Sequence, residues 1–529
     1  MKTIISMFAM LTFSNLNAQI NFTQLDHNNV SAHISDVGTY FRDYVNSNKG
    51  YEVPKGSGRS AIYSTQFWFA GKDPSNEIRL IQGGSTTNAD VFSGPISGLG
   101  TYSDPSYQSA WGNSMWEMCQ SEIDIYTTWW EACNGPNSNA QDCANATTPS
   151  TETLNRIYSW PAHGDVSLGQ SYYLAPFFDY NSDGTYDPGD GDYPIIRGCC
   201  AVYMIQNDAA QSHTYSNTDS LGVELHFMFY QYQTWDYLND VTFVDLKAVN
   251  RSNTNYSDFV SSIYVDADIG YYGDDYYGCD SVSNTMYFYN GDNLDENNAG
   301  YLGYGTNPPA LGIVGLGSGM TACAPFYSGA SINEKWNIMN GLQPNGTPWL
   351  NPNSNPTNYV FSGNPNVPIE WSAMGEGFPP NDVRGLASFY HGSLNSGDTL
   401  TQTFAITFAQ NGNNLDNVNN ILNTSNEIKL FYDNQSNQPC NGATWGLGDN
   451  DLIHFSVYPN PTNGIINIVN ESNIELNIQI YDSYGRSIKN TISTNNSTIE
   501  INLSNEPKGF YTIKVVSGKE VQFFKVILD

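Results

Sequence analysis

Short runs in which apolar and polar side chains alternate dominate this chain, and helical spacing is nearly absent. The clearest runs are 61–69, 223–232, 241–249, 259–265 and 400–408. In the last, Phe404, Ile406 and Phe408 alternate with small or polar residues, the period of a strand with one buried face. Gly, Pro and Asn turns separate the runs, so the fold is predicted to be mostly β, a large β-rich body of the sandwich type. One stretch departs from the pattern. Within 415–432, Val418, Ile421, Leu422, Ile428 and Phe431 approximate a helical stripe, which predicts a single sizeable helix at the C-terminal end of the body.

The ends of the chain read differently from its middle. Lys2 precedes an apolar run from Ile4 to Phe13, broken only by Ser6 and Thr12, and a polar stretch ends in Leu16-Asn17-Ala18. That order defines a secretory signal peptide over 1–18, cleaved after Ala18. Its apolar core is far shorter than the roughly 20 residues that span a bilayer, and no later segment supplies such a run, so no transmembrane segment is expected. The body then occupies 19–432. A linker rich in Asn, Gln, Gly and Asp follows at 433–451. In the tail, 452–529, the runs 465–469, 475–481, 498–503, 509–516 and 521–527 have the spacing of a small immunoglobulin-like β-sandwich.

Charge narrows the choice of partners. The 529 residues carry a net charge of -32, chiefly because Lys and Arg are scarce, and nearly all of that excess lies before the tail. Such a surface repels nucleic acid and anionic membranes and attracts hard cations. The cysteines (Cys119, Cys133, Cys143, Cys199, Cys200, Cys279, Cys323 and Cys440) all lie between the signal and the tail, and in an oxidising compartment they could form up to four bridges. Adjacent Cys199 and Cys200 are expected to seek distant partners. Without a Cys-x-x-Cys pair, and with the histidines scattered, zinc of the usual spacing is not expected.

The sharpest chemical motif runs from Asp179 to Asp190. Asp179, Asn181, Asp183, Asp187 and Asp190 fall at positions 1, 3, 5, 9 and 12 of a calcium loop, with Gly184 at position 6 and the Thr185 carbonyl at position 7. Asp190 at position 12, shorter in reach than the usual Glu, makes the loop resemble dockerin-type loops. Pro176 and Pro194 also argue against flanking helices, and a shell filled by protein oxygens makes the calcium structural. A second cluster, Asp266, Asp268, Asp274, Asp275 and Asp280, reads as a solvated loop, another metal site, or a carboxylate pair for glycoside hydrolysis. Glu224 and His226 share one face of a strand with no nucleophile marked beside them. Gly315-Leu-Gly317-Ser318-Gly319 reads as a turn. Aromatics at 126–130 and 271–277 are candidates for stacking on sugar rings or for the core.

Two resemblances add to this reading. Val457-Tyr-Pro-Asn-Pro-Thr-Asn-Gly464, Ile478-Gln-Ile-Tyr-Asp482 with Tyr484-Gly485, and Lys508-Gly-Phe-Tyr-Thr-Ile-Lys-Val515 before Phe524-Lys-Val-Ile-Leu528 closely resemble the type A sorting domain of the type IX secretion system of Bacteroidota. The resemblance places its sorting motif on Tyr458, Pro459, Asn460, Pro461, Gly464, Gly485, Gly509, Tyr511 and Lys525, and it implies passage across the outer membrane through that machinery. The body is similar to an uncharacterised group of such exported proteins. That similarity rests on Glu52-Val-Pro-Lys-Gly-Ser-Gly58, Trp160-Pro-Ala-His-Gly164, Gly191-Asp-Tyr-Pro194, Asp266-Ala-Asp-Ile-Gly270, Gly278-Cys-Asp280 and Arg384-Gly385. Cys199-Cys200 departs from the group's pattern and suggests a local disulfide.

Together these features describe a secreted or cell-surface, calcium-stabilised β protein acting in adhesion or binding, with an extracellular glycan or surface ligand as partner. A secreted polysaccharide hydrolase is the alternative. It would use two carboxylates from Asp266, Asp268, Glu224, Glu370 and Glu376. A passive surface-layer component is the third reading.

Overall fold

The computed structural model describes residues 20–434, apart from 45, 47, 86, 113, 299 and 327–330. It also describes 455–528, apart from 459–461, 471–475, 483–486, 494–497 and 518–519. The expected signal segment, nearly all of the linker, and Pro459, Asn460, Pro461 and Gly485 of the sorting motif lie outside these residues. The chain divides into two compact units, Met1–Ala443 and Thr444–Asp529.

Two large antiparallel sheets build the first unit. One runs Phe22–Leu25, Ser31–Ser35, Tyr51–Glu52, Ser60–Lys72, Tyr256–Ala267, Val383–Leu394, Ala322–Pro325, with Ile78–Ile81 also on Ser60–Lys72. The other runs Asp275–Asp280, Thr285–Asn290, Ala310–Leu316, Thr399–Ala409, Val241–Asn250, Val223–Gln231, Cys200–Asn207, Phe92–Ser93, with Met115–Cys119 also on Cys200–Asn207. All five runs read from the sequence are strands; four are extended by a residue or more at one end or both, and the run 223–232 ends one residue early, at Gln231.

The sheets face each other across an aromatic core. Phe67 of the first lies 5.3 Å from Phe227 and 5.4 Å from Phe404 of the second, ring centre to ring centre. Such offset contacts, with their large buried area, make aromatic pairs the strongest fasteners of a sandwich. In Val223–Gln231, Leu225, Phe227 and Phe229 enter this core, while Met228 and Tyr230 enter a second apolar cluster behind the sheet.

Helices cover that second face. Asn414–Asp433 is the predicted helix, with Val418, Ile421 and Ile428 buried and Asn413 capping the amides of Leu415 and Asp416. It is not the single sizeable one, since Gln120–Asn134 forms another of 15 residues. Its buried Ile123, Tyr126 and Trp130 keep helical spacing, but polar and aromatic neighbours at 127–129 blur the stripe. Disulfides tie this layer down. Cys119–Cys200 joins neighbouring strands across 81 residues of sequence, and Cys133–Cys143 joins Gln120–Asn134 to Ala140–Asn145. Cys200 thus pairs at a distance, not with its neighbour. Cys279 and Cys323 are unbridged thiols in the core, and Cys440 lies outside the described residues.

The second unit pairs a sheet of Phe455–Tyr458, Ile465–Asn470 and Thr498–Asn502 with one of Ser487–Ser493, Leu476–Asp482, Gly509–Ser517 and Glu520–Leu528. Ile466, Ile468, Ile478, Ile480, Ile513 and Val515 fill the space between them. Gly464, at φ 133°, forms the turn expected at Asn463-Gly464.

Phe229 is fully buried and meets the rings of Tyr40, Phe41 and Phe227. Phe229→Ala is expected to cost the body about 3–5 kcal/mol in urea unfolding. A cost below about 1 kcal/mol would contradict the two-sheet packing.

Candidate functional site

The acidic loop is built from the outside in. Phe177–Phe178 and Tyr193–Pro194 pair antiparallel and bring its ends together, so it hangs from a β-ladder with no flanking helix. Gly184, at φ 79°, makes the sharp turn at position 6. The amides of Asp183 and Gly184 donate to Asp179 at 3.2 and 2.7 Å, and the Thr185 amide donates to Asp183 Oδ1 at 2.7 Å. Asn181 Nδ2 lies 3.1 Å from Asp183 Oδ2 and 3.5 Å from Asp190 Oδ2, so these three side chains converge. Asp187 instead caps the Gly189 amide. Each carboxylate has about four lone-pair sites, so one bond to an amide leaves acceptors over for a cation. Carboxylate oxygens are the ligand type that calcium takes, while Asn181 turns its Nδ2 toward Asp183 and Asp190 and its Oδ1 to the Asp183 amide.

A residue the motif reading passed over holds the loop shut. Asp192 is fully buried, and its two oxygens accept from the amides of Tyr180 and Asp187, each at 2.8 Å. Its only signal in the sequence is its place in Gly191-Asp-Tyr-Pro194. Helix Gln120–Asn134 supplies the rest, since Tyr126 Oη donates to the Pro188 carbonyl and Trp130 Nε1 to that of Gly189. Tyr126 and Trp130 are therefore buried supports of the loop and not sugar platforms. Tyr276 and Tyr277 are buried as well.

Beside the loop, a cleft of about 960 Å³ opens on the outer face of the second sheet. Asp179 lines it as well as starting the loop, and so do Tyr173, Pro176 and Phe177 from the segment leading in. Its other walls carry Ile195, Leu316, Arg197, Asp245, Lys247, Gln402, Thr403 and Tyr432. Arg197 pairs with Asp245 at 2.9 Å and lies 5.3 Å from the rings of both Tyr230 and Tyr432, so its position is fixed. Gly317 and Ser318 join the lining from the turn after Ala310–Leu316.

At the back of the cleft Glu224 and His226 do share a face. His226 Nε2 lies 3.0 Å from Glu224 Oε1, and Nδ1 lies 2.7 Å from Tyr203 Oη. Arg251 Nη2 adds a bond to Glu224 Oε1 at 2.8 Å, and the Ile96 amide occupies Oε2 at 2.9 Å. Burial alone would raise the Glu224 carboxyl, but His226 and Arg251 outweigh it and hold the value down at about 2. Burial lowers His226 by more than its contact with Glu224 raises it. With both ring nitrogens engaged, this network holds the sheet in register and offers no base to a nucleophile.

The remaining candidates scatter. Asp266, Asp268 and Asp382 cluster on the first sheet, where Arg384 contacts Asp266 at 3.1 Å and Asp382 at 2.8 Å, and Lys49 lies 3.7 Å from Asp268. Burial pushes Asp266 up to about 7 and Asp268 up to about 6. Asp274 and Asp275 lie near this group, but Asp280 does not join it, because it ends the strand that Asp275 begins and caps the amides of Val282 and Ser283. Glu370 and Glu376 are exposed on loops. No pair of the expected carboxylates lines the cleft. His27 approaches Cys119 and Cys200, but their disulfide carries no thiolate ligand.

Comparison with known proteins identifies the second unit. Residues 456–529 match the family described as the secretion system C-terminal sorting domain, which makes the chain a type IX secretion cargo delivered to the cell surface or beyond it. Through that domain it engages the type IX machinery. Of the motif residues, Gly509 opens the strand that carries buried Tyr511, whose hydroxyl donates to the Pro507 carbonyl. Tyr458 and Lys525 lie in the outer strands Phe455–Tyr458 and Glu520–Leu528. Among the described residues no helix is long and apolar enough to cross a membrane.

No curated protein matches the chain. Among solved structures, a polysaccharide lyase aligns at 8% identity and TM-score 0.18, over 58% of this chain and 34% of its own. A putative aldose 1-epimerase from Escherichia coli K12 aligns at 9% and 0.23, over 74% and 100%. Lysyl oxidase from Pichia pastoris aligns at 9% and 0.26, over 75% and 52%. The chain thus spans about a third of the lyase's length, and likeness at this level carries no argument about fold or activity.

The Glu224 network has a pH signature. Its folded value of about 2 lies below the ordinary 4.5. The folded chain therefore binds fewer protons there, and the stabilisation is present above pH 4.5 and lost as the pH falls through 2. Glu224→Gln is expected to remove on the order of 3 kcal/mol at neutral pH and to flatten the acid limb of the stability profile. An acid limb identical to the parent's would contradict the ion-pair geometry.

Proposed function

We propose that this exported chain is a calcium-stabilised binding protein, acting in adhesion or ligand capture outside the cell, and that the cleft beside the acidic loop takes an extracellular glycan. The observation that carries this reading is the lining of the cleft. Tyr173, Phe177 and Tyr432 line it with rings, and Arg197 and Lys247 bring cationic donors to it, while Gln402 and Thr403 are bonded to their protein neighbours. A concave, largely apolar surface with a few fixed polar groups is the usual form of a small-ligand site. Aromatic faces suit the apolar side of a sugar ring, and the polar groups suit its hydroxyls.

Calcium enters this reading through shared residues. Asp179 belongs both to the loop and to the cleft wall, so a cation that stiffens the loop also fixes the rim. The hydrolase alternative lacks support, because it needs two carboxyl groups about 5–9 Å apart across one cleft. Of the carboxylates that reading would use, only Glu224 lies near this cleft, and Asp266 and Asp268 belong to the other sheet; Asp179 and Asp245 of the lining are bound up with the acidic loop and with Arg197.

The test is binding of the calcium-loaded protein to a panel of bacterial and algal polysaccharides, followed by titration calorimetry on any hit. Tyr432→Ala and Lys247→Ala are each expected to weaken the hit at least tenfold, with circular dichroism unchanged. No hit across the panel, together with undiminished adhesion in a deletion strain, would remove this reading.

A further inference from the structure

We infer that Asp266, Asp268 and Asp382 form a second divalent-cation site, of calcium type, on the first sheet and separate from the acidic loop. Asp266 lies near the end of Tyr256–Ala267, Asp268 in the turn that follows, and Asp382 immediately before Val383–Leu394. A carboxylate oxygen from each comes within 4.8 Å of the others. Oxygens on opposite sides of a calcium ion, each about 2.4 Å from it, are separated by about 4.8 Å, so the three already stand at ligand spacing.

A fourth carboxylate supplies independent support. Asp275 is fully buried beside Asp268, and its Oδ2 accepts from the amide of Ile269, the residue that follows Asp268, at 3.0 Å. Its backbone carbonyl accepts from the Asn381 amide, next to Asp382. Yet Oδ1 of Asp275 has no hydrogen-bond partner, and neither has Oδ1 of Asp382. A buried carboxylate oxygen left without a donor is costly, and a cation removes that cost.

The bases present do not balance this group. Lys49 spends its ammonium on the carbonyls of Gly270 and Asp268 and reaches the Asp268 carboxylate only at 3.7 Å. Arg384 is shared between Asp266 and Asp382. Three clustered acids therefore face two bases, with Asp275, Asp274 and Asp295 nearby. An all-oxygen set without His or Cys selects a hard cation over zinc or copper.

The test counts bound Ca²⁺ per chain by equilibrium dialysis and elemental analysis of the full exported protein. Asp183→Ala removes the loop's contribution and is expected to leave one ion bound. Adding Asp268→Asn to Asp183→Ala is expected to remove that ion, and so is adding Asp382→Asn, whose partly exposed side chain makes it the gentler change. Circular dichroism verifies the fold of each. Tb³⁺ luminescence excited through tyrosine should fall in step, since Tyr264 and Tyr301 lie close to the carboxylates. If folded Asp268→Asn and Asp382→Asn variants hold as much Ca²⁺ as the parent, or if Asp183→Ala alone abolishes all binding, the site does not exist. Loss with Asp268→Asn but none with Asp183→Ala would uphold this site and refute the loop as a calcium site.

Discussion

Every position of the strand Val223–Gln231 is buried, and the rest of the body follows from that constraint. A strand with water on one side needs only one apolar face, but this one must be covered on both. Phe227 and Phe229 are covered by the opposing sheet, and Met228 and Tyr230 by the layer that includes Gln120–Asn134 and Asn414–Asp433. The helices do not close over the whole face. Where they stop, the polar positions Glu224 and His226 are satisfied by Tyr203 and Arg251, and the cleft opens in front of them.

The acidic loop sits at the edge of that cover. Its underside rests on Tyr126 and Trp130, its interior is held by Asp192, and its first residue reaches the cleft. Helix, loop and cleft wall are therefore one mechanical unit, and like charges crowded in the loop repel unless a cation neutralises them. The same strain recurs on the other sheet around Asp275.

Much of this was legible in the sequence, for physical reasons. Strands such as Thr399–Ala409 declare themselves because a strand's period is short and its buried face is continuous. The acidic loop could be placed residue by residue, because its residues are local in the chain. What escaped was the non-local part. Gln120–Asn134 was hidden because its buried stripe uses Tyr126 and Trp130 among other aromatics, which mark a binding surface as readily as a core. The cleft could not be read, because Arg197, Lys247 and Tyr432 meet only once three distant segments fold together. Asp382 joined Asp266 and Asp268 for the same reason, while Asp280, close in sequence, was carried away along a strand.

That the acidic loop is a cation-dependent brace for the cleft is tested most directly by hydrogen–deuterium exchange of the full chain, with millimolar Ca²⁺ and with excess EGTA, beside Asp183→Ala. Calcium should slow exchange at least tenfold across 173–195, including the cleft-lining residues 173–177, and the variant should exchange fast in either buffer. Equal protection of that segment in both buffers, with metal analysis confirming that EGTA had stripped the protein, would contradict the brace.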